Sequence, residues 1–199
     1  MSKLKISITI FILILLSYLI VTIFIKDEQN LGNGYYFLPD YEAIDIGYSY
    51  GNMLYKSDKK NHFNNIIIFS DIKKINFNNY YIIVLQRPNK KLVLKQIEDD
   101  LTLWNNYYTV NKKDSIVTFN FNKISLVRIN NIIEKVGVNN ISKVADSIFN
   151  NQEFYKKIFE RKDNYYIVNK KNDSIFGQLT FDEFLRLKKK KNIALDFEN

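Results

Sequence analysis

The sequence predicts an α+β fold, in which an N-terminal transmembrane helix precedes an antiparallel β-sheet domain with several packed amphipathic helices. Three observations support this prediction. Residues 6–25 are apolar and uncharged, residues 34–86 contain short β-branched and aromatic runs, and residues 92–161 place apolar side chains at helical spacing. The predicted organisation is a cytoplasmic tail (1–5), a transmembrane signal-anchor helix (6–25), a linker (26–33) and one soluble domain (34–199) with a helical middle (about 92–161).

The first element is the apolar run from Ile6 to Ile25. As a helix it would reach about 30 Å, the thickness of a bilayer's hydrocarbon core. A cleaved signal peptide has a shorter apolar region and a small-x-small cleavage site, whereas the charged and polar segment 26–30 follows here. We therefore expect an uncleaved signal-anchor.

The orientation of this anchor follows from the basic residues beside it. Lys3 and Lys5 precede the apolar run, and Lys26 alone follows it closely. Because lysine and arginine are retained on the cytoplasmic side, we expect a cytoplasmic N-terminus and an extracytoplasmic domain.

Strands are predicted where β-branched and aromatic residues are bounded by Gly, Pro, Asn or Asp. The most apolar run, 80–86, should be a central strand, and it ends before Pro88. The predicted strands are 34–38, 43–46, 52–55, 66–69, 72–77 and 80–86.

The pattern changes after Asn89, where apolar side chains recur at helical spacing. Val93, Ile97, Leu101 and Trp104 form one stripe, and we expect Trp104 to be buried, so that Trp104→Ala costs about 3–5 kcal/mol. Further helices are predicted over 126–136 and 141–159. The second of these is either continuous or interrupted at 150–151.

The last helix has an explicit start signal. Thr180 is placed to cap it while Glu183 reaches back, which is the capping-box arrangement. We expect Phe181, Phe184 and Leu185 to form its buried face. The lysines at 188–191 are interpreted as a solvated helix end that complements the dipole, in preference to a phosphate or lipid site.

Two segments, 106–116 and 164–175, are nearly identical in sequence. They read Asn-Tyr-Tyr-Thr-Val-Asn-Lys-Lys-Asp-Ser-Ile and Asn-Tyr-Tyr-Ile-Val-Asn-Lys-Lys-Asn-Asp-Ser-Ile. Duplication and coincidence both remain open, because a biased composition produces such matches by chance. In either case each copy is predicted to form a strand, a polar turn and a second strand.

Composition restricts the classes of function. The formal net charge is +8 and the pI is about 9.3, which by itself favours anionic partners. Export of the domain would argue against nucleic acid as its binding partner. The chain has no cysteine, which removes disulfides, thiol catalysis and thiolate metal sites.

No residue is assigned to catalysis, cofactor binding or metal binding. His62 is the single histidine, and without cysteine or further histidine it is interpreted as an exposed loop residue. Gly32-Asn33-Gly34 lacks the third glycine and the preceding strand of a dinucleotide-binding turn.

Paired carboxylates could support hydrolysis, since one can act as acid and the other as base or nucleophile. Two groups of acidic residues qualify by proximity in the sequence. Asp99 and Asp100 should point in different directions on a helix, and a solvated surface accounts for them. The candidates are Asp40, Glu42 and Asp45 near the first strand, and Glu98, Asp99 and Asp100 in the first helix.

Four segments together resemble a family of small, uncharacterised bacterial exported or membrane-anchored proteins. The matching segments are 31–37, 80–86, 165–168 and 177–184, and 92–161 looks like an insertion in that pattern. The resemblance implies bacterial origin and export. The family has no assigned activity, so the resemblance supplies no catalytic residues.

These observations favour a non-enzymatic interaction or structural module, held on the outer face of a bacterial membrane by a single N-terminal span. One alternative is an envelope hydrolase that uses acidic residues. Another is a cytosol-facing domain that binds lipid or nucleic acid through its lysines. A protein partner is compatible with the first reading, and oligomeric state is left open.

Overall fold

The computed structural model describes residues 29–40, 50–60, 62–63, 65–119 and 122–197. The predicted membrane helix (6–25), the predicted strand at 43–46, and the candidates Glu42 and Asp45 lie outside these ranges. Within them, no helix is both long enough and apolar enough to cross a membrane.

The described residues form ten strands and five α-helices, and every strand pairing is antiparallel, which confirms the α+β prediction. The strands are β1 (Gln29–Gly32), β2 (Tyr35–Leu38), β3 (Met53–Lys56), β4 (Ile66–Ile68), β5 (Ile72–Phe77), β6 (Tyr81–Gln86), β7 (Ile116–Phe119), β8 (Asn122–Ser125), β9 (Asn164–Asn169) and β10 (Ser174–Leu179). The helices are α1 (Lys90–Asn111), α2 (Leu126–Val136), α3 (Ile141–Asn151), α4 (Glu153–Phe159) and α5 (Phe181–Lys190), with a 3₁₀ turn at Val138–Asn140.

Two four-stranded sheets face each other across an apolar core. The first sheet has the order β1-β2-β3-β4 and the second has the order β10-β9-β6-β5, so β6 is a central strand as predicted. Side chains alternate between the two faces of β9, as the two-residue period of a strand requires. Tyr166 and Val168 enter the core between the sheets, whereas Ile167 points to the opposite face.

Helices cover the outer faces of both sheets. Leu38, Met53 and Tyr55 of the first sheet pack against the inward stripes of α1 to α4. On the far side, Ile83 and Ile167 of the second sheet pack against Phe184 of α5. The layers therefore run from the helical region through the first sheet and the second sheet to α5.

The helical region is inserted between two neighbouring strands. β6 pairs directly with β9, and Gln86, the last residue of β6, lies opposite Asn164, the first residue of β9. The Asn164 side-chain amide donates to the carbonyl oxygen of Ile158 in α4 at 2.7 Å, and the Gln86 amide donates to that of Phe69 at 2.7 Å. The first of these buried bonds fastens the end of the helical region to β9, and the second fastens the end of β6 to the residue that follows β4.

A polar cluster joins the two sheets at the opposite end of β9. Asp173 accepts a hydrogen bond from the Tyr35 hydroxyl at 3.0 Å and pairs with the Lys56 ammonium at 2.6 Å, and these two contacts lower its pKa. The Lys170 ammonium is buried and donates to the carbonyl oxygen of Leu31, and its burial lowers its pKa. The turn at 170–173 is thereby fixed against the first sheet.

The predicted linker is wrong for residues 29–32, which form β1 and pair with β2. The connecting turn explains the two glycines in this segment, because Gly32 and Gly34 both have positive φ angles. A Cβ atom on Gly34 would approach the carbonyl oxygen of Ser57 to 2.9 Å, so the turn also needs close backbone contact.

The repeat prediction is confirmed for the second copy and wrong for the first. Residues 164–169 form β9, but residues 106–111 are the last turns of α1. Val168 is fully buried in the core between the two sheets, whereas the corresponding Val110 is 81% exposed. The second copy has the strands β6 and β10 on either side, whereas the first copy continues a helix that Leu101 already anchors in the core. The neighbouring elements therefore override the local preference of the sequence for a strand.

Trp104 is less buried than its spacing predicts. Val93, Ile97 and Leu101 are buried as expected, but Trp104 is only partly buried at the edge of the helical core. Its ring makes an edge contact with Tyr107 at a centroid distance of 6.2 Å. The expected 3–5 kcal/mol for Trp104→Ala is therefore too high, since that range applies to full burial.

The capping box of α5 is confirmed, but its predicted buried face is partly wrong. Glu183 accepts from the Thr180 backbone at 2.8 Å, and Phe184 is buried, while Phe181 and Leu185 are about half exposed. The helix instead turns Phe184 toward the second sheet, and Lys188, four residues later, is buried beside the Phe184 ring. Lys188 is buried and pairs with Asp196, so it is not a solvated lysine like Lys189 and Lys190.

The two phenylalanines of α5 provide a matched test of this face. Phe184→Ala should lower the free energy of unfolding by about 3–5 kcal/mol, because it empties a packed position. Phe181→Ala should cost only about 1–2 kcal/mol, because the side chain is 51% exposed and keeps a contact with the Tyr165 ring at 5.3 Å. Urea denaturation of both variants measures the difference, and equal losses would show that the assigned face is wrong.

Candidate functional site

Helices α2 and α3 form a hairpin on α1. The Ser125 hydroxyl caps α2 by accepting from the Arg128 backbone at 3.2 Å, and Gly137, with a positive φ angle, ends the helix. One stripe on each helix, including Ile129 and Ala145, is buried in the helical core. A second apolar face on each helix is left half-buried.

This second face forms a groove, which we call the α2–α3 groove. Two adjacent cavities of about 320 and 440 Å³ are both lined by Ile132 of α2 and Ile148 of α3, which we call the floor of the groove. Val136 lies at one end, and the β7–β8 hairpin closes the other end with Phe119 and Ile124. The remaining lining residues are Lys123, Arg128, Lys143, Val144, Ser147 and Gln152.

The rim of the α2–α3 groove is basic. Lys123, Arg128 and Lys143 line it, and none of them forms an ion pair with any residue in the described ranges. Among the described residues, none of those that line the groove is acidic. Glu134 and Asp146, on the same two helices, are exposed outside it. The groove therefore combines an apolar floor with uncompensated positive charge.

The acidic candidates lie in a different place, at the N-terminal half of α1. Glu98 and Asp99 border an open depression of about 720 Å³ together with Lys90, Lys91 and Lys95. The Asp99 carboxylate accepts from the Tyr50 hydroxyl at 3.0 Å and from the Lys95 ammonium at 2.6 Å. The Lys95 charge thus offsets the Asp99 carboxylate, and Lys90 and Lys91 border the same depression.

Asp40 and Asp100 lie in different surroundings from Glu98 and Asp99. Asp40 is exposed, and its backbone N–H donates to the Asn52 side-chain oxygen at 2.6 Å. Asp100 is half-buried, and desolvation, with a contribution from the negative charge of Asp99, raises its pKa to about 6. Neighbouring positions on the helix therefore give Asp99 and Asp100 different surroundings, as their spacing predicts.

The remaining sequence candidates have structural positions. His62 is exposed, as predicted. Gly32 to Gly34 join two antiparallel strands, whereas a phosphate-binding turn leads from a strand into a helix. Within the described residues, no three His, Cys, Asp or Glu side chains are grouped to hold a metal ion.

Sequence reasoning did not identify the α2–α3 groove, although a signal for it exists. Ile132 stands beside the buried Ile133, and Ile148 stands beside the buried Phe149, so each helix carries apolar residues beyond one stripe. An apolar stripe that is wider than one helix contact needs indicates a second apolar surface.

No family model, curated protein or solved structure matches this chain.

The raised pKa of Asp100 predicts a pH-dependent stability. Folding favours its protonated form, so its contribution is fully present below the unfolded pKa of 3.8 and is lost as pH rises through about 6. Asp100→Asn should therefore raise the free energy of unfolding by about 1–2 kcal/mol at pH 7.5 and change it little at pH 4.

Urea titrations in dilute solution at both pH values measure this effect. Asp146→Asn is the matched control, because Asp146 is an exposed carboxylate on α3. Its effect at each pH is the baseline against which the effect of Asp100→Asn is measured. An Asp100→Asn variant that behaves like this control would show that the Asp100 carboxyl is not destabilised by burial.

Proposed function

We propose that this chain is a membrane-anchored, non-enzymatic interaction module whose α2–α3 groove binds an acidic amphipathic segment of a partner protein. The observation that carries the proposal is the apolar floor between two helices with an unpaired basic rim. Grooves of this kind accept an amphipathic helix, whose apolar side chains enter at intervals of three or four residues.

The floor supplies the affinity. Ile132 and Ile148 are half-buried and Val136 is 37% exposed, so an inserted side chain would remove apolar surface from water. Complete burial of such a side chain contributes about 1.5–3 kcal/mol, and covering the exposed part of each contributes about 1 kcal/mol.

The rim supplies the selectivity. Lys123 and Arg128 flank one part of the groove and Lys143 flanks the other, so acidic residues on the outer face of a bound helix meet positive charge along its length. Exposed ion pairs each contribute only about 0.2–1 kcal/mol, but complementary charge accelerates association and disfavours basic partners.

The anchor determines where this binding takes place. The apolar run ends at Ile25 and β1 begins at Gln29, so the short segment 26–28 separates them. With residues 6–25 in the bilayer, an extended segment of this length spans about 13 Å, which holds the domain near the membrane surface. The lysine distribution favours the outer face of a bacterial membrane, and bacterial origin rests on the family resemblance.

A synthetic peptide tests binding to the groove. A helical peptide of about 16 residues, with leucine every three or four positions and glutamate between them, should bind the full chain in a fluorescence polarisation titration. The variant Lys123→Glu/Arg128→Glu/Lys143→Glu should weaken binding by more than about tenfold, because each rim charge changes sign.

Two controls define the result. The variant Lys156→Glu/Lys157→Glu/Lys189→Glu makes the same change in net charge at exposed lysines outside the groove, and it should bind normally. A peptide with lysine in place of glutamate should bind weakly to the unmodified chain. Equal losses in both triple variants, or equal binding of both peptides, would contradict the proposal.

Membrane topology is tested separately. A reporter active only outside the cytoplasm, fused after Asn199, should be active, because Lys3 and Lys5 outweigh Lys26. A cytoplasmic reporter at the same position should be inactive. The reverse pair of results would place the domain in the cytosol and favour the lipid- or nucleic-acid-binding alternative.

A further inference from the structure

The chain connections at one end of the two sheets are joined to each other by hydrogen bonds. The backbone N–H of Ser57 donates to the carbonyl oxygen of Gly34 at 2.8 Å, which ties the β3–β4 connection to the β1–β2 turn. The Asn33 side chain donates to the carbonyl oxygen of Lys170 at 3.0 Å, and the Lys170 N–H donates to that of Tyr80 at 2.8 Å. The β1–β2, β3–β4, β5–β6 and β9–β10 connections are thereby held together.

The C-terminal end of α5 lies beside these connections. α5 begins after Leu179, the last residue of β10, and the ammonium of Lys191 lies 4.3 Å from the centroid of the Phe176 ring. Phe176 is two residues from Ser174, where β10 leaves the β9–β10 turn. The end of α5 therefore adds its lysines to those of the connections. We call four exposed lysines of these segments the basic end: Lys59, Lys171, Lys189 and Lys190.

Most of the negative charge near the basic end is neutralised within the fold. Asp173 pairs with Lys56 at 2.6 Å, and Asp196 pairs with Lys188 at 2.5 Å. The four lysines of the basic end form no ion pair with any residue in the described ranges, and the exposed Asp58 is the acidic residue beside them. Positive charge is therefore in excess at this end.

We propose that the basic end binds a phosphodiester polymer without bases, such as poly(glycerol phosphate). Its lysines come from three segments, the β3–β4 connection, the β9–β10 turn and α5, so a flexible chain of phosphates can contact several of them at once. Each contact releases counterions from the polymer, which favours binding. The interpretation of residues 188–191 as a solvated helix end considers that run alone, whereas the fold brings it together with Lys59 and Lys171.

The position of the basic end favours this partner over lipid headgroups. Gln29, the first described residue after the proposed anchor, lies at the opposite end of β1 from the turn at Gly32 to Gly34. The basic end therefore faces away from a bilayer that holds the anchor. This choice rests on the anchor of the proposed function, whereas the basic end itself does not overlap the α2–α3 groove.

The aromatic content of the basic end favours this partner over single-stranded nucleic acid. Proteins hold such strands by stacking successive bases on several aromatic side chains. Tyr80, which is 63% exposed, is the one exposed Phe, Tyr or Trp among the described residues of the four connections. A polymer without bases needs no stacking surface.

The salt dependence of polymer binding tests the proposal. The full chain in a mild non-ionic detergent should bind end-labelled poly(glycerol phosphate) in a fluorescence polarisation titration. A plot of the logarithm of the association constant against that of the salt concentration should have a slope of about −3, since each neutralised phosphate contributes about −0.7. Lys59→Gln/Lys171→Gln/Lys190→Gln should weaken binding by more than about tenfold at low salt and make the slope shallower by about 2.

A matched variant changes the same net charge at the opposite end of the sheets. Lys91→Gln/Lys156→Gln/Lys162→Gln replaces exposed lysines of α1, of α4 and of the segment just before β9, and it should change the affinity and the slope little. Equal losses in the two triple variants would overturn the proposal, because net charge alone would then explain binding. Absence of polymer binding by the unmodified chain would also overturn it.

Two further measurements separate the other partners. A thymidine oligonucleotide of equal charge should bind no more tightly than poly(glycerol phosphate), and Tyr80→Ala should leave both affinities unchanged. Tighter oligonucleotide binding that Tyr80→Ala removes would assign the basic end to nucleic acid. Loss of polymer binding when phosphatidylglycerol is added to the micelles would assign it to lipid headgroups.

The acidic peptide separates this inference from the proposed function. Lys59→Gln/Lys171→Gln/Lys190→Gln should still bind that peptide, because these lysines lie outside the α2–α3 groove. Loss of polymer binding alone would support a separate site at the basic end. Loss of both ligands in this variant would overturn the assignment of two sites.

Discussion

The antiparallel pairing of β6 with β9 is the constraint on which the rest of the structure depends. It brings together residues 81–86 and 164–169, which are far apart in the sequence, and gives the second sheet its two central strands. Alternate side chains of both strands then serve two cores, with Ile82 and Val168 facing the first sheet and Ile83 facing α5. Without this pairing, neither the first sheet nor α5 would have a second sheet to pack against.

The same pairing makes the helical region an insertion. Because Gln86 lies opposite Asn164, the chain leaves and re-enters the second sheet at adjacent positions. The backbone hydrogen bonds between β6 and β9 therefore form without the helices. The insertion still contributes a core against the first sheet. The proposed contact surface, the α2–α3 groove, lies on this region, which is consistent with a binding surface carried on a rigid scaffold.

The basic composition divides into two groups with different roles. Lys56, Lys170 and Lys188 are structural, because each is tied to a carboxylate or a carbonyl oxygen within the fold. Lys123 and Arg128 belong to the other group, since they line a groove without a paired carboxylate. Net charge alone therefore overstates how much positive surface is free to attract a partner.

Local signals in the sequence determined the elements that carry a start signal or a regular apolar pattern of their own. Thr180 and Glu183 cap α5 through residues three apart, and the 80–86 run is apolar enough to require a central position. The strand predicted at 106–111 does not form. The strands predicted between residues 34 and 86 that fall within the described ranges, and the helices α1 to α4, follow from their apolar periodicities. The break between the last two of these is at Gln152, one residue after the predicted interruption.

Tertiary structure decided what depends on distant partners. Almost the same residues form a helix end at 106–111 and a strand at 164–169, because only the second copy has strands beside it. The second sheet likewise selects Phe184 over Phe181, since it is the sheet that fixes which face of α5 is inward. The α2–α3 groove could not be predicted from the sequence for the same reason. A periodicity indicates that a helix face is apolar, but tertiary packing decides whether another element covers that face.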